Sequence, residues 1–495
     1  MDAALRFLSP FLLSTIFASL AAGQTVTPAA VDGAARDALK TWDAPGVALA
    51  IVKPDNILLV RGYGNRELGG KAPVTADTLF PLASCTKAFT STALAILVDD
   101  GKITWDDPVR KHLPTFHLAE ANADALVSIR DLVCHRTGVG GHEFLWYRAP
   151  WSQDESIRRI GRVQPSGPFR STFAYQTIMF MAAGKAAGRY HQDGWAGLVR
   201  ERIIEPLGMT NTVLSGAEAE KKSDRARGHR PDRDGKIGVC DEYPIREPNA
   251  AGSIYSTARD LATWLQFQLG DGSWRGRPIV SAENLAETHK PQAIIPMDAT
   301  ANALSPLSVQ LSYAMGWVLQ DYRGVPMLTH SGWIDGYRVQ LTLLPGQKTG
   351  IAVLANLHGT RMNVALTNRL VDMILNAPEK DWNAYYLNLI KAEDGARAEA
   401  RRERDRLRNP QSKPSLPLPA YEGDYEHPAY GVCHVKVKNG GLHWEWSTFQ
   451  EALEPFRGDV FEIRNLILGD PLLLFRGDVR GVTGLKVLDV EFTKK

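Results

Sequence analysis

The sequence predicts a mixed chain of the α/β class, α+β in type: one antiparallel sheet completed by both ends of a main domain, a helical region inserted between them, and a small all-β domain appended. Three observations predict it. The strand-like runs "GVALAIVK" and "NILLVRGYG" stand near the start. Matching runs "AMGWVLQ", "YRVQLTLLP" and "TGIAVLAN" return only after a long, mainly helical stretch. Beyond the proline-rich "NPQSKPSLPLPA", the chain holds only short alternating segments such as "HVKVKNGGLHWEW", separated by Gly and Asp turns.

The elements follow in order. Arg6, an apolar run from Phe7 to Leu20 and the small residues Ala21, Ala22 and Gly23 have the layout of a secretory signal, with cleavage expected after Gly23. A short membrane anchor is the alternative, but Pro10 and the serines shorten a run that needs about 20 apolar residues. The expected destination is therefore secreted or periplasmic, with no stable membrane span after signal cleavage. "VDGAARDALKTW" reads as a helix, and a Pro-Asp-Asn turn joins the first two strands. "FAYQTIMFMAAGKAAG" and "WAGLVRERIIEPLGM" are the clearest helices of the middle region, with a Gly/Pro/Ser-rich loop around "VQPSGPFRS" before them. In "STARDLATWLQFQLG", Thr257 and Asp260 stand at capping-box spacing before an amphipathic helix. "RMNVALTNRLVDMIL" reads as a helix after the last sheet strand. Charges of both signs alternate from Lys391 to Arg408. The expected organisation is a signal over 1–23, a main domain over 24–385, a charged and proline-rich linker over 386–417 and a β domain over 418–495.

Across 495 residues, 44% are hydrophobic and 23% charged, with a formal net charge of +2 and Lys and Arg dispersed. Such a chain buries a sizeable core and lacks the basic face that phosphate neutralisation requires, so nucleic acid is not expected as a partner. The spacing of Cys85, Cys134, Cys240 and Cys433 is not that of a zinc site, and they read as small buried residues. No metal or other cofactor is expected.

The chemistry concentrates in "DTLFPLASCTKAFTSTALAILVDD", which between its acidic ends holds a single charged residue, Lys87. A helix apolar on every side is a buried helix, and a lysine inside one must have its desolvation offset. Ser84 lies three positions earlier, about 4.5 Å along the axis on the same face. Burial and the positive end of the helix dipole both lower the lysine pKa, so Lys87 can be held neutral or share a proton with the hydroxyl, which is how a weak nucleophile is activated. A Ser-x-x-Lys arises on the order of once by chance in a chain this long, and the bland alternative is a snorkelling lysine above a helix-capping serine. Adjacency on the helix turns Cys85 to another face, away from that chemistry.

From about Ala30 to Leu375 the sequence resembles the serine β-lactamases and DD-peptidases, in particular the branch of class C β-lactamases, D-aminopeptidases and esterases. The likeness rests on Ser84-Cys85-Thr86-Lys87 and on "SIRDLVCHRTGVGG", "IIEPLGMTNT" and "AAGSIYSTARDLATW" in the same order. The resemblance implies a β-lactamase/transpeptidase-like fold and a second element, Tyr-x-Asn, matched here by Tyr175-Gln176-Thr177. Tyr175 would shuttle a proton if positive charge stabilised its phenolate, while Thr177 reaches less far than the usual Asn toward a substrate amide. The third element is Lys-Thr-Gly on an edge strand. The literal Lys348-Thr349-Gly350 falls in a turn, and His330-Ser331-Gly332 takes the place instead. His330 would then supply hydrogen bonding and, when protonated, positive charge beside Ser84 and Tyr175. The oxyanion hole implied by this register is the N–H of Ser84 and of Trp333, with Gly332 permitting close approach of the strand. His135 and His142 lie near one another without a third ligand and read as structural.

These residues imply an exported serine hydrolase working through an acyl-enzyme on a small ester or a peptide-like amide, including one that bears a D-residue. A penicillin-binding DD-peptidase, β-lactamase or sensor that acylates and turns over slowly is the alternative, and a non-catalytic binding module a further one. "YEGDYEHPAYG" resembles the lipocalin-like barrels appended to some members, which implies a role in substrate access or in oligomerisation.

Overall fold

A computed structural model describes residues 26–478 and 480–495; the signal expected over residues 1–23 lies outside them. Helix α1 (Pro28–Trp42) leads into strands β1 (Gly46–Lys53) and β2 (Asn56–Gly64). Helix α2 (Thr86–Asp99) opens the helical region, where α3 (Thr177–Gly188) is the other central helix, and α4 (Ala258–Gln268) returns the chain to the sheet. The sheet resumes with β3 (Ala293–Ile295), β4 (Leu311–Tyr313), β5 (Val318–Tyr322), β6 (Val325–Ile334), β7 (Tyr337–Leu344) and β8 (Thr349–Ala355), after which come α5 (Met362–Ile374) and α6 (Trp382–Arg406).

The eight strands run in the order β2-β1-β8-β7-β6-β5-β4-β3, every neighbouring pair antiparallel, so the N-terminal strands close against the last one as the sequence predicts. β1 and β8 read as unbroken apolar runs because both faces of the sheet centre are covered. Ala48, Ala50, Ala352 and Leu354 pack on the side of α2 and α4, while Val47, Leu49, Ile351 and Val353 pack on the side of α1 and α5. In the helical region, α2 buries every residue from Thr86 to Leu97, and the side chain of Lys87 has no solvent exposure. The cap predicted at Thr257 is present, its hydroxyl accepting the Asp260 N–H.

The segment 386–417, expected as a linker, is helical as far as Arg406. Trp382 and Tyr386 anchor α6 in the core beside α1 and α5. Asp381 caps it, and the alternating charges that suggest a solvated linker form i,i+3 pairs such as Arg397 with Asp394 and Arg402 with Glu399, which support a helix as readily. Only the stretch from 407 to the short turn Leu418–Tyr421 is a connection.

The last domain is a closed eight-stranded barrel: β9 (Gly423–His427), β10 (Gly431–Lys438), β11 (Gly441–Trp446), β12 (Phe449–Arg457), β13 (Val460–Ile463), β14 (Leu472–Asp478), β15 (Gly481–Val487) and β16 (Val490–Lys494). Closure pairs Tyr425 of β9 with Lys494 of β16 and leaves no free edge. Inward positions alternate, Leu442, Trp444 and Trp446 along β11 for example, and aromatic side chains fill the interior. Glu462, fully buried, takes Arg404 of α6 at 2.5 Å and Arg408 at 2.6 Å and so straps the barrel to the helix. Among the described residues no helix is long and apolar enough to cross a membrane.

Candidate active site

The site is assembled where α2 begins. Ala83 takes a left-handed φ of 45°, a conformation rare for a residue with a side chain, and the tight turn Ala83–Cys85 then feeds α2. That turn sets Ser84 at the mouth of the helix. The amine of Lys87 stands 3.0 Å from Ser84 Oγ and 3.0 Å from the carbonyl oxygen of Ala251. It also lies over the rings of Tyr175 and Phe180, at 5.1 and 5.5 Å. Lys87 makes no ion pair among the described residues, and burial lowers its pKa to about 7, only partly opposed by the charge of Glu143. The protonated amine donates to both oxygens, and above that pKa the neutral amine keeps one N–H on Ala251 and turns its lone pair to the Ser84 hydroxyl.

Tyr175 stands just ahead of α3, and its hydroxyl donates to Ser84 Oγ at 3.1 Å. Gln176 caps the helix, its side chain accepting the Ile178 N–H and donating to the Gly141 carbonyl. Burial raises the Tyr175 pKa well above its ordinary value. The expected phenolate is therefore corrected to a protonated phenol: with Lys87 neutral, no adjacent cation compensates a phenolate. Beneath it, His135 packs against the Tyr175 ring at 4.1 Å between centroids and accepts the Gln176 N–H at Nδ1, which leaves the proton on Nε2.

His330 sits on β6, with Tyr313 of β4 between it and His135. Its Nδ1 donates to the Ser331 carbonyl at 2.8 Å, so Nε2 is the acceptor for the Tyr313 hydroxyl at 3.1 Å. Those partners fix a neutral imidazole, and burial with the charge of Lys87 lowers its pKa to about 3. The protonated His330 expected beside Ser84 is thus corrected to a neutral ring that bonds to Tyr313 and its own strand.

His330-Ser331-Gly332 lies on an inner strand, but its outer flank is open, because β5 pairs with β6 only as far as Thr329. Two close approaches bring this flank to Ser84. A Cβ at Gly332 would stand 2.1 Å from the Leu82 carbonyl oxygen, so only glycine lets β6 rest on the nucleophile turn. The Cys85 thiol, raised by burial to about 12, donates to the His330 carbonyl at 3.2 Å and is a strand tether. Gly316, with φ of 82°, likewise lies against the backbone of Lys87 and Ala88. Lys348 occupies the exposed turn before β8, as the sequence predicts.

The cleft has a volume of about 480 Å³ and gathers Ser84, Tyr175, Thr177, His330, Ser331 and Trp333 on its walls. Two charged residues that sequence reasoning missed join them, Glu143 and Arg338. Glu143, whose side chain stays open to solvent, accepts from the Trp146 indole at 2.5 Å and from the Thr177 hydroxyl at 3.2 Å, and the protein around it raises its pKa. Thr177, where the family pattern has Asn, spends its hydroxyl on this carboxylate. Arg338 lies over the exposed Trp333 ring at 4.3 Å and has no carboxylate partner among the described residues; burial and the charge of Arg361 lower its pKa to about 10. Beyond it a second cavity of about 780 Å³ extends between the sheet and α5. A charged residue inside the aromatic run "GGHEFLWY" was the available signal for Glu143; nothing in the sequence marked Arg338.

The family model described as Beta-lactamase matches residues 31–375, and a domain of unknown function, DUF3471, matches 407–483. A curated relative, "Unguisins hydrolase ungD'" of Aspergillus campestris, is 31% identical over 80% of this chain and 75% of its own. "Protein flp" of Staphylococcus aureus is 24% identical over 71% of this chain and 68% of its own. Among solved structures, the octameric penicillin-binding protein homologue from Pyrococcus abyssi superimposes with a TM-score of 0.61 at 21% identity, over 94% of this chain and 99% of that one. The D-amino acid amidase from Ochrobactrum anthropi does so with a TM-score of 0.56 at 24% identity, over 70% and 96%.

Proposed function

The chain belongs to the beta-lactamase family and is a serine hydrolase, and from that premise we propose that it cleaves peptide-like amides or small esters through an acyl group carried on Ser84. The observation that carries the reading is the pair of contacts at Ser84 Oγ, a buried amine at 3.0 Å and a protonated phenol at 3.1 Å. Neutral Lys87 takes the hydroxyl proton as Oγ attacks the carbonyl carbon. The N–H groups of Ser84 and Trp333 hold the oxyanion as the expected register implies, and loss of one such donor typically lowers turnover by about 10²–10³. The Tyr175 O–H supplies the proton with which an amine leaves and regains one from the Lys87 ammonium, so both groups end acylation neutral. Water then attacks the acyl carbonyl, giving its proton to Lys87, which returns it to Ser84 Oγ as the acid departs.

The cleft supports a substrate with charge at both ends. Glu143 offers a carboxylate to a free amino group, and Arg338 offers a guanidinium to an anionic group beyond Trp333. The relative named as an unguisins hydrolase and the fold neighbour named as a D-amino acid amidase support hydrolysis in this cleft, and an amide with a D-residue at the acyl position belongs to this reading. Export belongs to it as well, supported by the N-terminal segment alone.

Amino-acid p-nitroanilides of D and L configuration, with p-nitrophenyl acetate as the uncharged control, test the proposal. Ser84→Ala is expected to abolish turnover of all of them. Glu143→Gln is expected to raise KM for the anilides about tenfold and to leave the ester within about twofold. Turnover that survives Ser84→Ala, or an equal effect of Glu143→Gln on both substrates, contradicts it.

A further inference from the structure

The Glu143 and Trp146 side chains that line the cleft belong to segment 142–148, which meets the C-terminal barrel through the His142 and Phe144 side chains and the Arg148 carbonyl. Phe144 packs edge-on against Trp446 and Phe449, at 6.2 and 6.0 Å between centroids. His142 Nδ1 is bonded to the Tyr430 hydroxyl at 2.7 Å. The Arg148 carbonyl accepts from the hydroxyls of Ser447 at 3.1 Å and Thr448 at 2.8 Å. His142 and Arg148 are also the two residues of the segment with left-handed backbone, φ of 61° and 53°. Non-glycine residues persist there only where their surroundings hold them, and the barrel grips the segment at both strained ends and in the middle.

The barrel is itself fixed to the helical region beside this segment. Arg159 donates to the Ala429 carbonyl at 2.9 Å while stacked on Trp151 at 4.2 Å, and Arg162 donates to the Pro428 carbonyl at 2.9 Å. On the sheet side, Tyr147 and Arg148 bond to Asp335 in the β6–β7 turn. The segment is thus clamped between the barrel and the turn that follows the His330 strand.

We propose that the C-terminal barrel is a positioning element for the active site, holding segment 142–148 through Phe144, His142 and Arg148 so that Glu143 and Trp146 form the cleft wall opposite Ser84. Phe144 is a positioning residue, since it faces the barrel and is absent from the cleft lining. The barrel therefore tunes which substrates the site accepts without adding a group to the chemistry. For the amine-bearing amide this rests on the Glu143 reading above.

The test uses the full chain with Phe144→Ala and, separately, Ser447→Ala with Thr448→Val, which releases the Arg148 carbonyl while sparing both cores. Amide hydrogen exchange over 142–148 is expected to accelerate about tenfold in Phe144→Ala while the strands of the barrel and sheet keep their protection. KM for an amino-acid p-nitroanilide is expected to rise about tenfold, with p-nitrophenyl acetate within about twofold, and the double variant is expected to move both readouts the same way by less. Unchanged exchange in Phe144→Ala overturns the proposal, and so does accelerated exchange with unaltered anilide KM when Glu143→Gln does raise it. Should Glu143→Gln leave the anilide KM unchanged, the amine reading fails on its own and the exchange rates alone decide the coupling.

Discussion

Lys87 Nζ lies 3.0 Å from Ser84 Oγ on a side chain with no solvent exposure, held there by a backbone carbonyl and two aromatic rings rather than by a carboxylate. Burying an amine without a counter-charge is costly, and what offsets it here is neutrality.

Lys87→Met keeps the volume and removes the base. Ester turnover should fall about 10²–10⁴-fold, the usual contribution of a positioned proton acceptor. Stability should hold or rise by about 1–2 kcal/mol, because an apolar chain replaces a buried amine. Kinetics and a urea titration on the same preparation check both.

The pH profile should report Lys87. Its folded pKa of about 7 lies below the unfolded value, so activity rises as pH passes upward through that point. Between about 7 and roughly 10.4 the unfolded chain binds the extra proton. Stability therefore climbs with pH across that window and is lowest below it. His330, at about 3, cannot supply the limb, so His330→Gln should lower kcat yet keep the rise near neutrality. Rate and chemical-denaturation profiles from pH 5.5 to 10.5, taken as a roughly bracketing range, make the check.

Tyr175→Phe should separate substrates by leaving group. An amine needs a proton to leave and nitrophenolate does not, so amide turnover should drop by about 10²–10³ and nitrophenyl ester turnover by less than about tenfold. Parallel assays with an anilide and an ester decide it, and equal losses would argue that Tyr175 acts on Ser84 alone.

Gly332→Ala places a methyl carbon where only 2.1 Å separates it from the Leu82 carbonyl oxygen. Strand β6 must lift from the nucleophile turn, so kcat should fall by at least about tenfold and stability by about 1–3 kcal/mol. Thermal melting and single-turnover acylation measure the two effects.

What was legible in the sequence was whatever a local pattern encodes. The unbroken apolar runs of β1 and β8, the cap at Thr257 and the isolated Lys87 in an apolar helix each stand in one short stretch. The neutral His330 was not legible, because it depends on a partner distant in the chain, Tyr313, whereas the lowered pKa of Lys87 follows from burial that its own apolar helix encodes. Helix α6 was hidden because alternating charge serves a solvated linker and an exposed helix equally, and only the caps and the anchors Trp382 and Tyr386 distinguish them. Glu143 and Arg338 enter the cleft from elements whose local sequence carries no motif.

The most direct test of the account is the mass of the intact protein after brief exposure to an activated ester at pH values on either side of neutrality, followed by peptide mapping. A single acyl adduct on Ser84 is expected, formed faster above the Lys87 pKa of about 7 and undetectable in Lys87→Met on the same timescale. An adduct on another residue, or one that forms on Ser84 at the same rate in Lys87→Met, would contradict it.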